Sequence, residues 1–146
     1  MSDILTFGTP LPGAVYITRP GAYAVFFNDY REVGLVRTDD QRYFLVGGGI
    51  EPGEEREEAL IREILEETGL LATVESAIGI AREFYLDEPK ARYYEKVGHF
   101  YQVSITGQDP AQKIEDDHTL LWLPVQEAMP LLYHDMYRWA LEQAQR

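Results

Sequence analysis

The sequence predicts one domain of mixed helix and strand, α/β (α+β) in class, and three observations predict it. The chain has 146 residues, the length of a single domain able to bury a real core. Hydrophobic residues make up 45% and charged residues 26% of it, the balance of a folded chain rather than a disordered one. Short β-rich segments stand on both sides of one segment with a strongly two-faced helical pattern, and a second helical pattern closes the chain.

In order, residues 1–13 carry Pro10, Pro12, Gly8 and Gly13 and are expected to run as an irregular arm. Residues 22–28 (AYAVFFN) and 32–38 (EVGLVRT) read as strands, with Asn28-Asp29 marking the turn between them. Residues 41–46 (QRYFLV) form a short strand that runs into Gly47-Gly48-Gly49, a flexible turn or a backbone free to curl against a ligand. Pro52-Gly53 is a turn pair, and a helix is expected over roughly 55–68. Gly69 supplies its C-cap. Residues 71–85 and 93–106 are long extended segments around the turn 87–92, so 71–106 is expected to be a hairpin. Residues 107–117 form a polar loop and TLLWL (119–123) a strand. Pro124 then opens a helical region in which Met136, Tyr137, Ala140 and Leu141 recur at helical spacing.

Composition excludes several functions. No apolar run reaches the roughly 18 residues of a membrane span, and the first 13 residues lack a basic region and a long apolar stretch, so no signal peptide is expected. Cysteine is absent, which removes disulfide and thiol chemistry and fits a reducing, cytoplasmic location. The net charge of -12 repels nucleic-acid backbones and anionic membranes. A small phosphorylated substrate is still allowed, because bound cations reverse the local sign.

Half of that negative charge lies in one place: residues 51–67 hold eight Glu against Arg56 and Arg62, a net of -6. On a helical wheel Leu60, Ile61, Ile64, Leu65 and Thr68 fall within an arc of roughly 140°, and Glu63, Glu66 and Glu67 within a separate arc of roughly 100°. One face suits packing on a sheet, and the other carries three carboxylates within about a turn. Exposed like charges at this spacing cost only about 0.2–0.5 kcal/mol per pair, so a solvated acidic face explains them as well as a cation site does. In a cleft the repulsion rises to about 3 kcal/mol per pair, and a Mg²⁺ or Mn²⁺ ion, which takes oxygen ligands, offsets it.

The surrounding positions narrow this choice. Gly48, Glu54, Arg62, Glu63, Ile64, Glu66, Glu67, Gly69 and Leu70 match all nine specified positions of G-x5-E-x7-R-E-U-x-E-E-x-G-U, where U is a bulky aliphatic residue. The chain therefore resembles the Nudix hydrolases over residues 48–70. It departs from many members at Val46, where they carry proline. The resemblance implies a mixed β-sheet sandwiched between α-helices, one domain over 1–146, and metal-dependent hydrolysis of a nucleoside diphosphate linked to another group X. By position it implies Glu63, Glu66 and Glu67 as metal ligands, the Gly48 carbonyl as a further one, and Glu54 and Arg62 holding the loop and the ligands. The cofactor would be Mg²⁺ or Mn²⁺. Glu63 is the first choice for the base, although in several members the base lies on a mobile loop outside the motif.

A further acidic ligand is common downstream in the family. Glu115, Asp116 and Asp117 lie in about the right place, with Glu115 preferred for its reach and an ordinary polar loop as the alternative. Tyr85 lies near a position where dinucleoside polyphosphate hydrolases often carry Tyr and is a substrate-stacking candidate on that ground, against core or strand packing as the alternative. His99 alternates with apolar neighbours and reads as structural. Arg19, Arg31, Arg37, Arg82, Lys90 and Arg92 are unranked phosphate candidates. The expected partner is a small nucleotide, and homodimers are common in the family. The reading from another class is a nucleotide-binding or sensor module that does not hydrolyse.

Overall fold

In the computed structural model, which describes residues 4–145, seven strands form one mixed sheet in the order β1-β5-β6-β2-β4-β3-β7. They are β1 (Leu5–Phe7), β2 (Tyr16–Val25), β3 (Glu32–Thr38), β4 (Tyr43–Gly49), β5 (Leu70–Asp87), β6 (Arg92–Gln108) and β7 (His118–Pro124). Helix α1 (Arg56–Thr68) connects β4 to β5, and α2 (Val125–Leu131) and α3 (Asp135–Ala144) follow β7.

The sheet is apolar on both faces, and period-2 alternation divides it. Along β2, Ala22 and Ala24 point to one side and join a cluster with Leu60 and Ile64 of α1, while Tyr23 and Val25 point to the other and join Met136, Tyr137, Ala140 and Leu141 of α3. The helices therefore cover opposite faces, as the resemblance implied. Each helix is short and gains its stability from this packing rather than from propensity. Among the described residues no helix is long and apolar enough to cross a membrane.

Several boundaries differ from the sequence reading. The expected irregular arm contains β1, which pairs in parallel with β5 from Leu5 opposite Ala81 to Phe7 opposite Glu83; residues 1–3 of the arm lie outside the described residues. Strand β2 begins at Tyr16 rather than residue 22, because ten of its residues pair in parallel with Tyr93–Gln102 of β6, a partner no local pattern reveals. Strand β4 runs on through the glycines, which pair with β2: Gly47 faces Tyr23, Gly48 faces Ala22 and Gly49 faces Gly21. The C-terminal helical region divides into two helices. The hairpin of β5 and β6 is present, pairing Leu70–Asp87 with Arg92–Gln108 through three register shifts.

Candidate active site

Helix α1 is placed by its ends and by its apolar face. Glu57 and Glu58 occupy its first turn, where acidic side chains favour the positive end of the helix dipole. Gly69 ends it in the left-handed conformation (φ 78°), its N–H bonded to the Leu65 carbonyl. The buried residues are Ala59, Leu60, Ile64 and Glu67, whereas Ile61 and Leu65 are only half-buried. The carboxylate face is thus not uniform: Glu67 turns toward the sheet, and Glu63 and Glu66 stay half-buried at the edge.

Arg62 organises that edge. Its Nε donates to Glu54 Oε2 at 2.7 Å and its Nη2 to Glu54 Oε1 at 3.0 Å, a bidentate pair. Its Nη1 reaches Glu63 Oε1 at 3.0 Å and Glu66 Oε2 at 3.2 Å. Glu54 also accepts the Glu51 N–H at 3.1 Å, which ties the turn after β4 to the helix. The Arg62 bonds hold the Glu54 carboxyl below its ordinary range. Burial pushes Glu63 above its ordinary range, and Arg62 opposes the shift. The Glu63 carboxylate lies against the Gly48 backbone so closely that a Cβ at 48 would stand 2.6 Å from its carboxyl carbon. Glycine is required there by proximity, not by backbone angle.

Glu67 has other partners. Its Oε1 accepts the Gly47 N–H at 3.0 Å, and its Oε2 lies 2.9 Å from His118 Nδ1 at the head of β7. Glu115 Oε1 lies 3.4 Å from the same nitrogen. No well-formed hydrogen bond to that nitrogen is present among the described residues, although it lies close to both carboxylates. Burial raises the Glu67 carboxyl above its usual range, and the carboxylate in turn raises His118. Glu115 is brought there by backbone: the N–H groups of Ile114 and Glu115 bond to the Glu66 carbonyl at 2.9 and 3.3 Å. Asp116 and Asp117 remain exposed.

These donors suit a hard divalent cation. Glu67, Glu115 and His118 each place one ligand atom within 4.8 Å of the others. Glu63 and Glu66 stand one turn away or less, paired for now with a single guanidinium. Glu63, Glu66, Glu67 and Glu115 outnumber the one guanidinium among them, which Glu54 also shares, and the crowding at Gly48 keeps backbone beside Glu63 where a side chain would block it.

A cavity of about 570 Å³ adjoins this cluster, large enough for a nucleotide. It meets the acidic helix at Glu67 and the Gly47–Gly49 backbone, and its far wall is aromatic, with Tyr23, Phe44, Tyr85, Tyr94 and Tyr137. Tyr85 does line it, stacked on Tyr94 with ring centroids 5.6 Å apart. Of the basic phosphate candidates, Arg19 and Lys90 line it and Arg31, Arg37, Arg82 and Arg92 do not. Arg82 is paired with Glu95 instead. His99 is half-buried on β6, and burial lowers it.

Sequence reasoning missed four residues here. His118 stands one place beyond the acidic run 115–117. Lys96 also lines the cavity, with Glu83 and His134 behind it. A signal for Lys96 existed: Tyr94, Lys96, Gly98 and Phe100 alternate along one face of β6, so a lysine takes an inward position. Glu83 and His134 gave none, because they meet across 51 residues.

Residues 17–143 match the family model described as a NUDIX domain. A curated relative, the putative 8-oxo-dGTP diphosphatase of Bacillus subtilis (strain 168), is 39% identical over 88 residues. That stretch covers 60% of this chain and 54% of the relative, so the match spans about half of the relative's length. Among solved structures, a NUDIX hydrolase from Nitrosomonas europaea superposes with a TM-score of 0.70 at 21% identity, covering 88% of this chain and 89% of that one. The E. coli dihydroneopterin triphosphate pyrophosphohydrolase superposes with a TM-score of 0.67 at 20% identity, covering 88% and 96%. At such identities these two establish the fold.

Proposed function

We propose, from the premise that this chain belongs to the Nudix hydrolase family, that it hydrolyses the diphosphate bond of a nucleoside diphosphate linked to another group, using Mg²⁺ or Mn²⁺. The observation that carries the proposal is the contact set of Arg62: one guanidinium holds Glu54, Glu63 and Glu66 together beside the helix whose Glu67 lines a nucleotide-sized cavity. An enzyme of this chemistry needs several carboxylates fixed at one place, and Arg62 fixes them.

Glu63, Glu66, Glu67 and Glu115 would hold the metal, with the Gly48 carbonyl beside Glu63. When bound, the cation acidifies a water and stabilises charge on the leaving phosphate. Arg62 keeps Glu63 and Glu66 oriented, as partners behind metal ligands do. Glu63 is our choice for the group that takes the proton, since burial already raises its basicity. His118, 2.9 Å away, opposes the effect of burial on the Glu67 carboxyl. The aromatic wall, Tyr85 included, would stack on a base, which is worth about 1–3 kcal/mol per ring. The relative's name, an 8-oxo-dGTP diphosphatase, and the neighbour's, a pterin triphosphate pyrophosphohydrolase, make purine-like rings the first substrates to try.

The test is release of phosphate, pyrophosphate or nucleoside monophosphate from a nucleotide panel, with Mg²⁺ or Mn²⁺ and with excess chelator. Turnover that disappears with chelator, and falls by orders of magnitude in Glu66→Gln and in Glu67→Gln, is the expected result. Full activity in chelator refutes the metal role. Binding of nucleotides without any hydrolysis across the panel assigns the chain to the binding-module class instead.

A further inference from the structure

The side chain of Lys96 enters the cavity from β6 among aromatic rings, with its Nζ 5.3 Å from the Tyr23 ring centroid, 5.5 Å from Tyr137 and 5.6 Å from Phe44. It sits behind the acidic edge, not on it, and takes no part in the chemistry derived above. One polar partner is close: His134 Nε2 at 3.5 Å, the long limit of a hydrogen bond. His134 is itself fixed, 1% exposed, with Nδ1 2.9 Å from Glu83 Oε2. The other oxygen of Glu83 accepts the Met136 N–H at 2.9 Å. One tautomer satisfies every contact, with the proton on Nδ1 donated to Glu83 and the Nε2 lone pair facing Lys96. The imidazole therefore occupies at most one of three ammonium protons, and the others face aromatic walls and the open cavity. An amine held in this way has few acceptors within the protein, and a ligand in the cavity is placed to supply one.

The surroundings decide what kind of acceptor. The walls are flat rings, which suit a planar heterocycle. Glu83, Glu67 and Asp87 all add negative potential at Lys96, so a phosphate carrying one or two charges is repelled where a neutral ring with a carbonyl oxygen is not. Arg19 and Lys90 are elsewhere on the lining and are the cations available to phosphate. A ring bearing an exocyclic amino group at the same place would set donor against donor.

We propose that Lys96 is a specificity-determining residue of this chain: it donates to a ring carbonyl of the bound nucleobase, so that keto bases are taken in preference to amino bases. Glu83 and His134 act through it as positioning residues. The proposal rests on the nucleotide-binding half of the function proposed above and is independent of the hydrolysis step.

Nucleoside monophosphates test it, because they contain no anhydride to cleave. Calorimetric titration of the intact chain in Mg²⁺ compares IMP with AMP and UMP with CMP, pairs that differ by keto against amino. The wild type is expected to bind the keto member about tenfold tighter in each pair, the loss that follows when a site built around a hydrogen bond meets a ligand lacking it. Lys96→Met, similar in length and apolar, is expected to bring both ratios close to one, with its fold verified by thermal melting. Lys96→Gln, whose amide both donates and accepts, serves as the second variant and narrows the ratios too. Equal affinities within each pair for the wild type overturn the proposal, as does full discrimination retained in a folded variant. Affinity for inorganic pyrophosphate that falls in Lys96→Met as much as affinity for IMP places the lysine on phosphate and also overturns it. If the keto preference is seen while no nucleotide is hydrolysed, the hydrolase reading fails and this one stands.

Discussion

Lys96→Met is expected to make the protein more stable while degrading its recognition of substrate. Burial is the main cause that lowers the Lys96 amine from 10.5 to about 8, against the pull of Glu83, Glu67 and Asp87. At about 1.36 kcal/mol per pH unit that shift amounts to about 3 kcal/mol against the charged form. The figure is a ceiling, because the side chain is only partly buried and keeps contact with solvent through the cavity. The cation–π contacts and the His134 bond are lost on substitution, and methionine fills the same aromatic surroundings. A net gain of about 1–2 kcal/mol is left, or about 3–6 °C in Tm for a domain of this size. The sign follows from linkage. The folded pKa is below the unfolded one, so the destabilisation is complete below pH 8 and fades as pH rises from 8 toward 10.5. Thermal melts of wild type and variant at pH 7, 8.5 and 10 measure it, and the two curves are expected to converge at high pH. A variant less stable than wild type at pH 7, or a difference independent of pH, refutes the picture of an under-partnered buried ammonium.

Three further outcomes follow from the site. Gly48→Ala would put a methyl group 2.6 Å from the Glu63 carboxyl carbon, so Glu63 is displaced. Activity is expected to fall about tenfold or more while melts change little, because the clash is with the far end of a flexible side chain. Arg62→Lys keeps charge but not the fork that grips Glu54 while reaching Glu63 and Glu66; a loss of about 10–100-fold in kcat/KM or metal affinity is expected from steady-state assays and metal titration. His118→Ala leaves the buried Glu67 without its counter-charge, costing about 1–2 kcal/mol at pH 7 after allowance for the partial exposure of His118. The cost should be full at about pH 5, where the imidazole is charged, and shrink as pH rises, since the carboxylate raises the His118 pKa. Denaturant melts at both pH values read it.

The acidic helix was legible because its information is local. Glu63, Glu66 and Glu67 share a face by helical periodicity, and Gly69 ends the helix by its own backbone freedom. The β5–β6 hairpin was legible for the same reason, being two long β-rich runs around one turn. By contrast, β2 was placed too late, since its first residues are extended only because Tyr93–Val97 lies beside them in parallel. The three glycines suggest either a turn or backbone free to curl against a ligand, whereas they complete β4 against β2.

At the site the same division holds. The sequence by itself determined that carboxylates gather after a glycine segment, that Arg62 stands among them, and that their spacing belongs to a helix. Only the tertiary structure decided that Glu67 is buried against His118 while Glu63 and Glu66 stay with Arg62. It alone joined Glu83, His134 and Lys96, which come from β5, the start of α3 and β6. The physical reason is range. Helical periodicity and capping act over a few residues and are written in order along the chain. Burial, counter-charge and the potential in a cavity depend on which distant strands and helices fold against one another.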